Sequence, residues 1–214
     1  MTGISDNLEI RTLSGSLQVS KTWLQSINPD AIIYTGLITP IMKKYFRKNP
    51  LISFLEDEEV RRENNLLTKE GIMQNIKNHK KDNICILGYG HIGKLLYEEL
   101  KNYQVRVGIK EQKDKNELGN IAFYTDNIQQ KRKILAESDL IINTVSEPIV
   151  DKEDIENSKA YFLDIASKPY GIREENRKYC QNYKLYSNIP ATYNPTKAGK
   201  ILLKKLKKDK EENK

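Results

Sequence analysis

Apolar positions follow two different rhythms along this chain, and the change between them falls near residue 83. Upstream, Ala31-Ile32-Ile33-Tyr34-Thr35-Gly36 is a short apolar run closed by glycine, which predicts a buried strand and a turn. Pro40 suits the first turn of a following helix, where its missing N–H costs nothing. Ile41, Met42, Tyr45 and Phe46 give that helix an apolar stripe. A longer helix is predicted from about 56 to about 78. Glu56, Asp57, Glu58 and Glu59 favour the positive end of its dipole, and Leu66, Leu67, Ile72, Met73 and Ile76 line one side. The first thirty residues carry little pattern, and Lys77 to Asp82 reads as a solvated junction.

From Asn83 onward, short apolar runs alternate with amphipathic stretches. Strands are predicted over 84–87, 105–109, 121–124, 140–144, 161–165 and 184–186, with helices over 92–102, 126–137, 151–157 and 172–181. A last helix over 196–207 carries Ile201, Leu202, Leu203 and Leu206 before running out into a Lys/Glu tail. Strand alternating with helix is the signature of a parallel sheet with covering helices. The expected fold class is α/β, a Rossmann-type doubly wound parallel sheet over 81–190. A short, incomplete N-terminal α/β segment and linking helix precede it over 1–80. A C-terminal helix and Lys-rich tail follow over 191–214.

The 214 residues carry a formal net charge of +7, which raises the question of an anionic partner. Eight lysines and three acids lie between Lys197 and Lys214, so most of the excess is terminal and a folded nucleic-acid face is not expected. Cys85 sits inside an apolar run, where a thiol behaves as a small hydrophobe, and Cys180 is far from it in sequence. A reducing compartment is the simplest reading. Met1 to Ile10 holds Asp6 and Glu9 and no apolar leader, and no run approaches the length of a membrane span. A soluble, cytoplasmic protein is expected.

Gly88-Tyr89-Gly90-His91-Ile92-Gly93 is a GxGxxG between the strand Ile84-Cys85-Ile86-Leu87 and a helix through Leu95, Leu96 and Leu100. The three glycines serve different needs. Gly88 permits the tight turn, Gly90 the close approach of a pyrophosphate, and Gly93 the packing of helix on strand. N–H groups at the helix start would bind the phosphates. Strand before, helix after and a second strand ending near Ile109 supply the context this motif needs to mean dinucleotide binding. Cofactor choice is read where that second strand ends, in Val107-Gly108-Ile109-Lys110-Glu111. If Ile109 holds the place of the usual acid and Lys110 follows, a 2′-phosphate is accommodated and NADP is favoured. If the register slips by two, Glu111 becomes the acid and NAD is favoured. The first register is preferred.

Ligands of open α/β sheets lie outside the carboxyl ends of the strands. Asn143 and Thr144 end the fourth predicted strand and can hydrogen-bond a cofactor ribose or nicotinamide. Ser167 and Lys168 follow the fifth, and Lys168 places a charge where a small acidic substrate or the nicotinamide would lie. The two histidines do not fit a catalytic base: His79 lies in the charged junction, and His91 lies inside the glycine turn.

Taken together, Asn143-Thr144, Asp164-Ile165-Ala166-Ser167-Lys168-Pro169 with Gly171, and Pro190 and Pro195 with Ala198-Gly199 resemble the family of the dipicolinate synthase A subunit. Asn64, Thr68, Glu70 and Gly71 and the glycine turn fit the same family. The resemblance runs from about residue 31 to the last helix and implies an NAD(P)-binding, dehydrogenase-like protein. Such proteins pair with a flavoprotein-like B subunit to make dipicolinate from a hydroxylated tetrahydrodipicolinate in sporulating bacteria. It also makes Glu70 the candidate acid or base, with Lys168 binding a substrate carboxylate, and a homo-oligomer is expected. It implies a shortened N-terminal domain. The chain departs from the family at Tyr170, where a glycine is expected, at Asn188-Ile189-Pro190, and at Pro195-Thr196-Lys197-Ala198-Gly199. The alternatives are a non-catalytic dinucleotide-binding or assembly subunit, or another NAD(P)-dependent dehydrogenase of unknown substrate, and nucleic-acid binding through the Lys tail ranks last.

Overall fold

The computed structural model describes residues 4, 7–12, 15–156 and 158–212. The chain divides into two compact units, residues 1–64 with 195–214 and residues 65–194. The sequence places boundaries near 80 and 190 instead. The difference at the first lies in Ile72 and Ile76, which are fully buried in the core of the second unit and carry the later turns of the linking helix with them.

In the first unit, β1 (Glu9–Thr12) and β2 (Gly15–Gln18) form an antiparallel hairpin with Ile10 opposite Leu17. Ser20 caps α1 (Lys21–Gln25) by accepting the Trp23 backbone N–H. β3 (Ile33–Thr35), α2 (Pro40–Tyr45) and β4 (Leu51–Ser53) then make a βαβ unit whose two strands pair in parallel, Tyr34 opposite Ile52. Pro40 is the first helical residue, as predicted, and Thr39 caps it. Val19, Leu24, Met42 and Phe46 are the buried centre of this part. α3 (Glu58–Asn75) begins here, with Asp57 accepting the Val60 N–H at 2.9 Å.

The second unit holds the parallel sheet. Its elements run β5 (Asn83–Leu87), α4 (His91–Leu100), β6 (Gln104–Ile109), α5 (Gln112–Leu118), β7 (Ala122–Tyr124), α6 (Ile128–Glu137), β8 (Leu140–Asn143), α7 (Lys152–Ile155), β9 (Tyr161–Asp164), a 3-10 turn (Glu174–Tyr179), β10 (Tyr183–Leu185) and α8 (Ile189–Tyr193). The strand order is β10-β9-β8-β5-β6-β7, all parallel. Counted from β5, that is 6-5-4-1-2-3, the doubly wound Rossmann order read from its other edge. One face buries Ile84, Ile86, Val107 and Ile142 against Ile72 and Ile76 of α3, Leu96 and Leu100 of α4, and Ile189. The other buries Cys85, Leu87, Ile141 and Phe162 against Ile134 and Leu135 of α6 and Ile155 of α7. Strands covered on both faces read as unbroken apolar runs, which is why β5, β8 and β9 were legible. The segment predicted as a helix over 172–181 is a 3-10 turn with no buried residue of its own, flanked by buried Ile172 and Cys180.

Two local arrangements fix this unit. Lys131, almost wholly buried, pairs with buried Asp154 at 2.8 Å and donates to the Ile149 carbonyl at 2.7 Å, joining α6 to α7. The junction after α3 is not solvated throughout: Lys81 donates to the carbonyls of Ile76, Lys77 and His79, and His79 stacks on Tyr161 with ring centroids 3.7 Å apart. Cys85 and Cys180 are free and buried; burial pushes the Cys180 thiol up to about 11 and the Cys85 thiol higher.

The last helix, α9 (Pro195–Glu212), belongs to the first unit. The sequence predicts an end near 207, but the helix runs on because Asp209 is buried. Lys205 lies between Asp209 at 2.7 Å and Asp57 at 3.0 Å, and the Tyr34 hydroxyl donates to Asp209 at 3.0 Å. Lys204 pairs with Glu59 and Glu63. The terminal positive charge is therefore partly neutralised inside the fold. The Val60 N–H on its carboxylate, with Lys205 beside it, holds Asp57 below the ordinary carboxylate value. A carboxyl depressed in the folded state adds stability above its unfolded pKa and loses it as pH falls through the folded value. Asp57→Ala is expected to cost about 1 kcal/mol at pH 7, as a lost cap does. Its cost should shrink below about pH 4, near the unfolded carboxylate value, and urea denaturation at pH 7 and pH 3 checks both.

Candidate functional site

The glycine turn is built as its spacing requires. Gly88 has a φ of +99°, and a Cβ there would lie 2.4 Å from the Thr144 hydroxyl. Its N–H donates to the Gly108 carbonyl of β6 at 2.9 Å, while Thr144 donates both its N–H and its hydroxyl to the Leu87 carbonyl. The turn is thus held from both neighbouring strands. A Cβ on Gly93 would lie 2.1 Å from the Gly88 carbonyl oxygen, so α4 packs on the turn as closely as backbone allows. Gly90 differs: it is the N-cap of α4, makes no side-chain cap, and a Cβ there would meet nothing within 4 Å. The first N–H groups of a helix have no intrahelical acceptor, and the space beside Gly90 at this helix start is open.

The other residues of the motif divide by side chain. His91 is exposed at the helix start. Ile92 packs against the core. Tyr89 is buried and donates to Glu117 of α5 at 2.8 Å, with the Lys94 ammonium 4.7 Å above its ring and paired to the same glutamate at 3.0 Å. Burial, then the Glu117 hydrogen bond, pushes the Tyr89 phenol up. What Tyr89 and Ile92 offer to a ligand at the turn is backbone alone.

Sheet register brings most of the predicted site residues to one end of the sheet. Leu87 lies opposite Gly108 on one side and Asn143 on the other, and Asn143 lies opposite Asp164. Asn143 is fully buried and its amide is occupied. It donates to Asp164 at 2.8 Å and to the Val145 carbonyl at 3.0 Å, and accepts the Val145 N–H at 3.2 Å. Its expected contact with a ribose or nicotinamide is replaced by a bracing role, because both amide hydrogens already have acceptors. Thr144, half-buried, stays beside Gly88. Asp164, also fully buried, accepts from Asn143, the Ala166 and Gly171 N–H groups, and the Tyr183 hydroxyl. Burial, then the Asp164 charge, pushes the Tyr183 phenol up.

Ser167 and Lys168 are exposed in the loop after β9, where the Tyr170 N–H closes a turn onto the Ser167 carbonyl at 2.9 Å. Tyr170 has a φ of +72°, so the backbone takes the glycine-favouring conformation although the residue is tyrosine. The Arg177 guanidinium lies 4.8 Å over its ring. Lys110 follows directly on the last residue of β6 and pairs with Glu147 at 2.6 Å, while Glu111 stands at the N-terminal boundary of α5 without a side-chain capping bond and pairs with Lys113. Glu70 is on the helical layer and not at a strand end. It is half-buried, between Lys69, which pairs with Glu99 of α4, and Gly71, which abuts Ile189 and Tyr193 of α8. Among the described residues no His/Cys/Asp/Glu cluster is placed to hold a metal ion, and no helix is long and apolar enough to cross a membrane. Two residues at this end of the sheet act without a sequence pattern that marks their roles. Asp164 was visible as a lone carboxylate ending an apolar strand; Glu147 carried no local signal.

Strand order and glycine turn place the second unit in the Rossmann class, whose members include dehydrogenases. The fold of the chain is that of the A subunit of dipicolinate synthase. The Bacillus halodurans protein is similar with a TM-score of 0.78 and 21% identity, over 96% of this chain and 76% of that one. The Bacillus subtilis A chain gives 0.77 and 22%, over 98% and 75%. The transhydrogenase of Sinorhizobium meliloti shares the fold more distantly, with a TM-score of 0.59 and 10% identity over 85% and 68%. No family model and no curated protein sequence matches the chain.

Proposed function

We propose that this chain is an NADP-dependent oxidoreductase that dehydrogenates a small acidic substrate, in the manner of the dipicolinate synthase A subunit. The observation that carries the reading is the pairing of Gly90 with Gly93. One is open to solvent at an uncapped helix start, and the other is locked against backbone. That cradle fits a pyrophosphate, which needs N–H donors and room where a side chain would stand. A bound nicotinamide supplies hydride transfer. The N–H groups of His91, Ile92 and Gly93 hold the phosphates, and Thr144 borders the sheet end beside them. Lys110 holds a 2′-phosphate, and the end of β6 at Ile109 favours NADP over NAD. Exposed Lys168 receives a substrate carboxylate as a point charge, with Glu70 as the acid or base. A flavoprotein-like B subunit is the proposed partner, and the protein acts in the cytoplasm as a homo-oligomer.

A second reading, a dinucleotide-binding subunit without catalysis, is favoured by one observation: neither histidine is on a strand end, His79 being stacked on Tyr161 and His91 heading α4. Titration with NADP and NAD, followed by turnover assays with a B-type partner, separates the two. Lys110→Gln is expected to weaken NADP about tenfold, the scale of one charge-assisted hydrogen bond, and to leave NAD unchanged. Binding without turnover would favour the second reading, and equal loss of both cofactors would remove Lys110 from the 2′-phosphate site.

A further inference from the structure

We infer that Glu147 determines cofactor specificity by competing with the 2′-phosphate for Lys110, an inference that rests on the glycine turn being a dinucleotide site. The two residues come from opposite sides of β5. Lys110 stands two positions beyond Gly108, whose carbonyl accepts the Gly88 N–H from the β6 side. Glu147 stands three positions beyond Thr144, which donates to the Leu87 carbonyl from the β8 side. Their side chains nonetheless meet, Lys110 Nζ to Glu147 Oε2 at 2.6 Å. The ion pair therefore bridges from one flanking strand to the other past the end of β5, where the glycine turn starts. A dinucleotide crosses the sheet at that same end.

The pair is built to exchange. Both side chains are about half exposed, at 52% and 57%, and exposed ion pairs are worth little. The acid next to Lys110 in sequence does not replace Glu147, since Glu111 pairs with Lys113. A carboxylate and a 2′-phosphate offer an ammonium the same thing, anionic oxygen acceptors, so only one holds Lys110 at full strength. The 2′-hydroxyl of NAD carries no charge and leaves the pair standing. NADP binding separates it. Glu147 thus lowers affinity for the phosphorylated cofactor selectively and narrows the difference between the two.

Dissociation constants of NADP and NAD, measured by calorimetry at low salt, test this with four chains: unmodified, Glu147→Gln, Lys110→Gln and the double variant. Glu147→Gln should tighten NADP roughly two- to fivefold, the range of an exposed ion pair, with NAD unmoved. In the Lys110→Gln background the same change should have no effect, which separates competition for Lys110 from simple removal of a negative charge. The gain should fade in high salt. An NADP affinity unchanged by Glu147→Gln, or an equal gain without Lys110, would overturn the inference and leave the dinucleotide site standing. If the unmodified chain bound neither cofactor, the site itself would fall and the inference with it.

Discussion

Asp164→Ala is expected to cost about 3–5 kcal/mol of folding stability, because the change leaves several buried donors without acceptors at once. Asp164 ends β9 fully buried, and its two oxygens accept from the Asn143 amide, the Tyr183 hydroxyl and the N–H groups of Ala166 and Gly171. Each orphaned buried donor costs about 1–3 kcal/mol, and the backbone N–H groups of Ala166 and Gly171 cannot turn to find another partner. Asp164→Asn keeps the volume but points an amide N–H at groups that are themselves donors, so a smaller loss of about 1–3 kcal/mol is expected. Urea denaturation at neutral pH measures both. The effect should reach the ligand site as well. Asn143 holds Val145 through two hydrogen bonds, and Val145 closes on Gly88 from the β8 side. A stable Asp164→Asn chain should therefore bind dinucleotide more weakly. An Asp164→Ala chain as stable as the parent would show that this network does not hold the sheet end together.

How far the fold was legible follows from where burial falls. The central strands β5, β8 and β9 and the helices α4 and α6 were readable because both sheet faces are covered and the apolar runs are nearly continuous, whereas β6 showed as alternation, with exposed Gln104 and Arg106 alternating with buried valines. The hairpin was not: every residue of β2 is exposed, so no alternation marks it. α5 buries only Leu118 and offers no apolar stripe. At the site, the glycine turn was readable since its constraints are local. The role of Asn143 was not, because a polar residue at a strand end looks the same whether its amide faces a ligand or Asp164. Lys110 was legible from the end of its strand, whereas its partner Glu147 is 37 positions away and depends on strand order.

The two open questions of the turn, what it packs against and what it leaves free, are answered by paired substitutions. Gly93→Ala drives a methyl group to within 2.1 Å of the Gly88 carbonyl oxygen, a backbone atom that cannot swing aside. It should cost about 2–4 kcal/mol and disturb the turn itself. Gly90→Ala meets no protein atom, and the backbone at Gly90, φ −77° and ψ −165°, is one any residue adopts. Its stability should stay within about 1 kcal/mol of the parent. Its methyl group nevertheless stands where a pyrophosphate must approach α4, and the lost charge-assisted hydrogen bonds should weaken dinucleotide binding at least about tenfold. Titration of the parent chain and Gly90→Ala with NADP, beside their urea midpoints, is therefore the most direct measurement. Stabilities within about 1 kcal/mol of each other and an at least about tenfold loss of affinity are expected. Equal affinity in the two chains, or no binding by the parent, would contradict it.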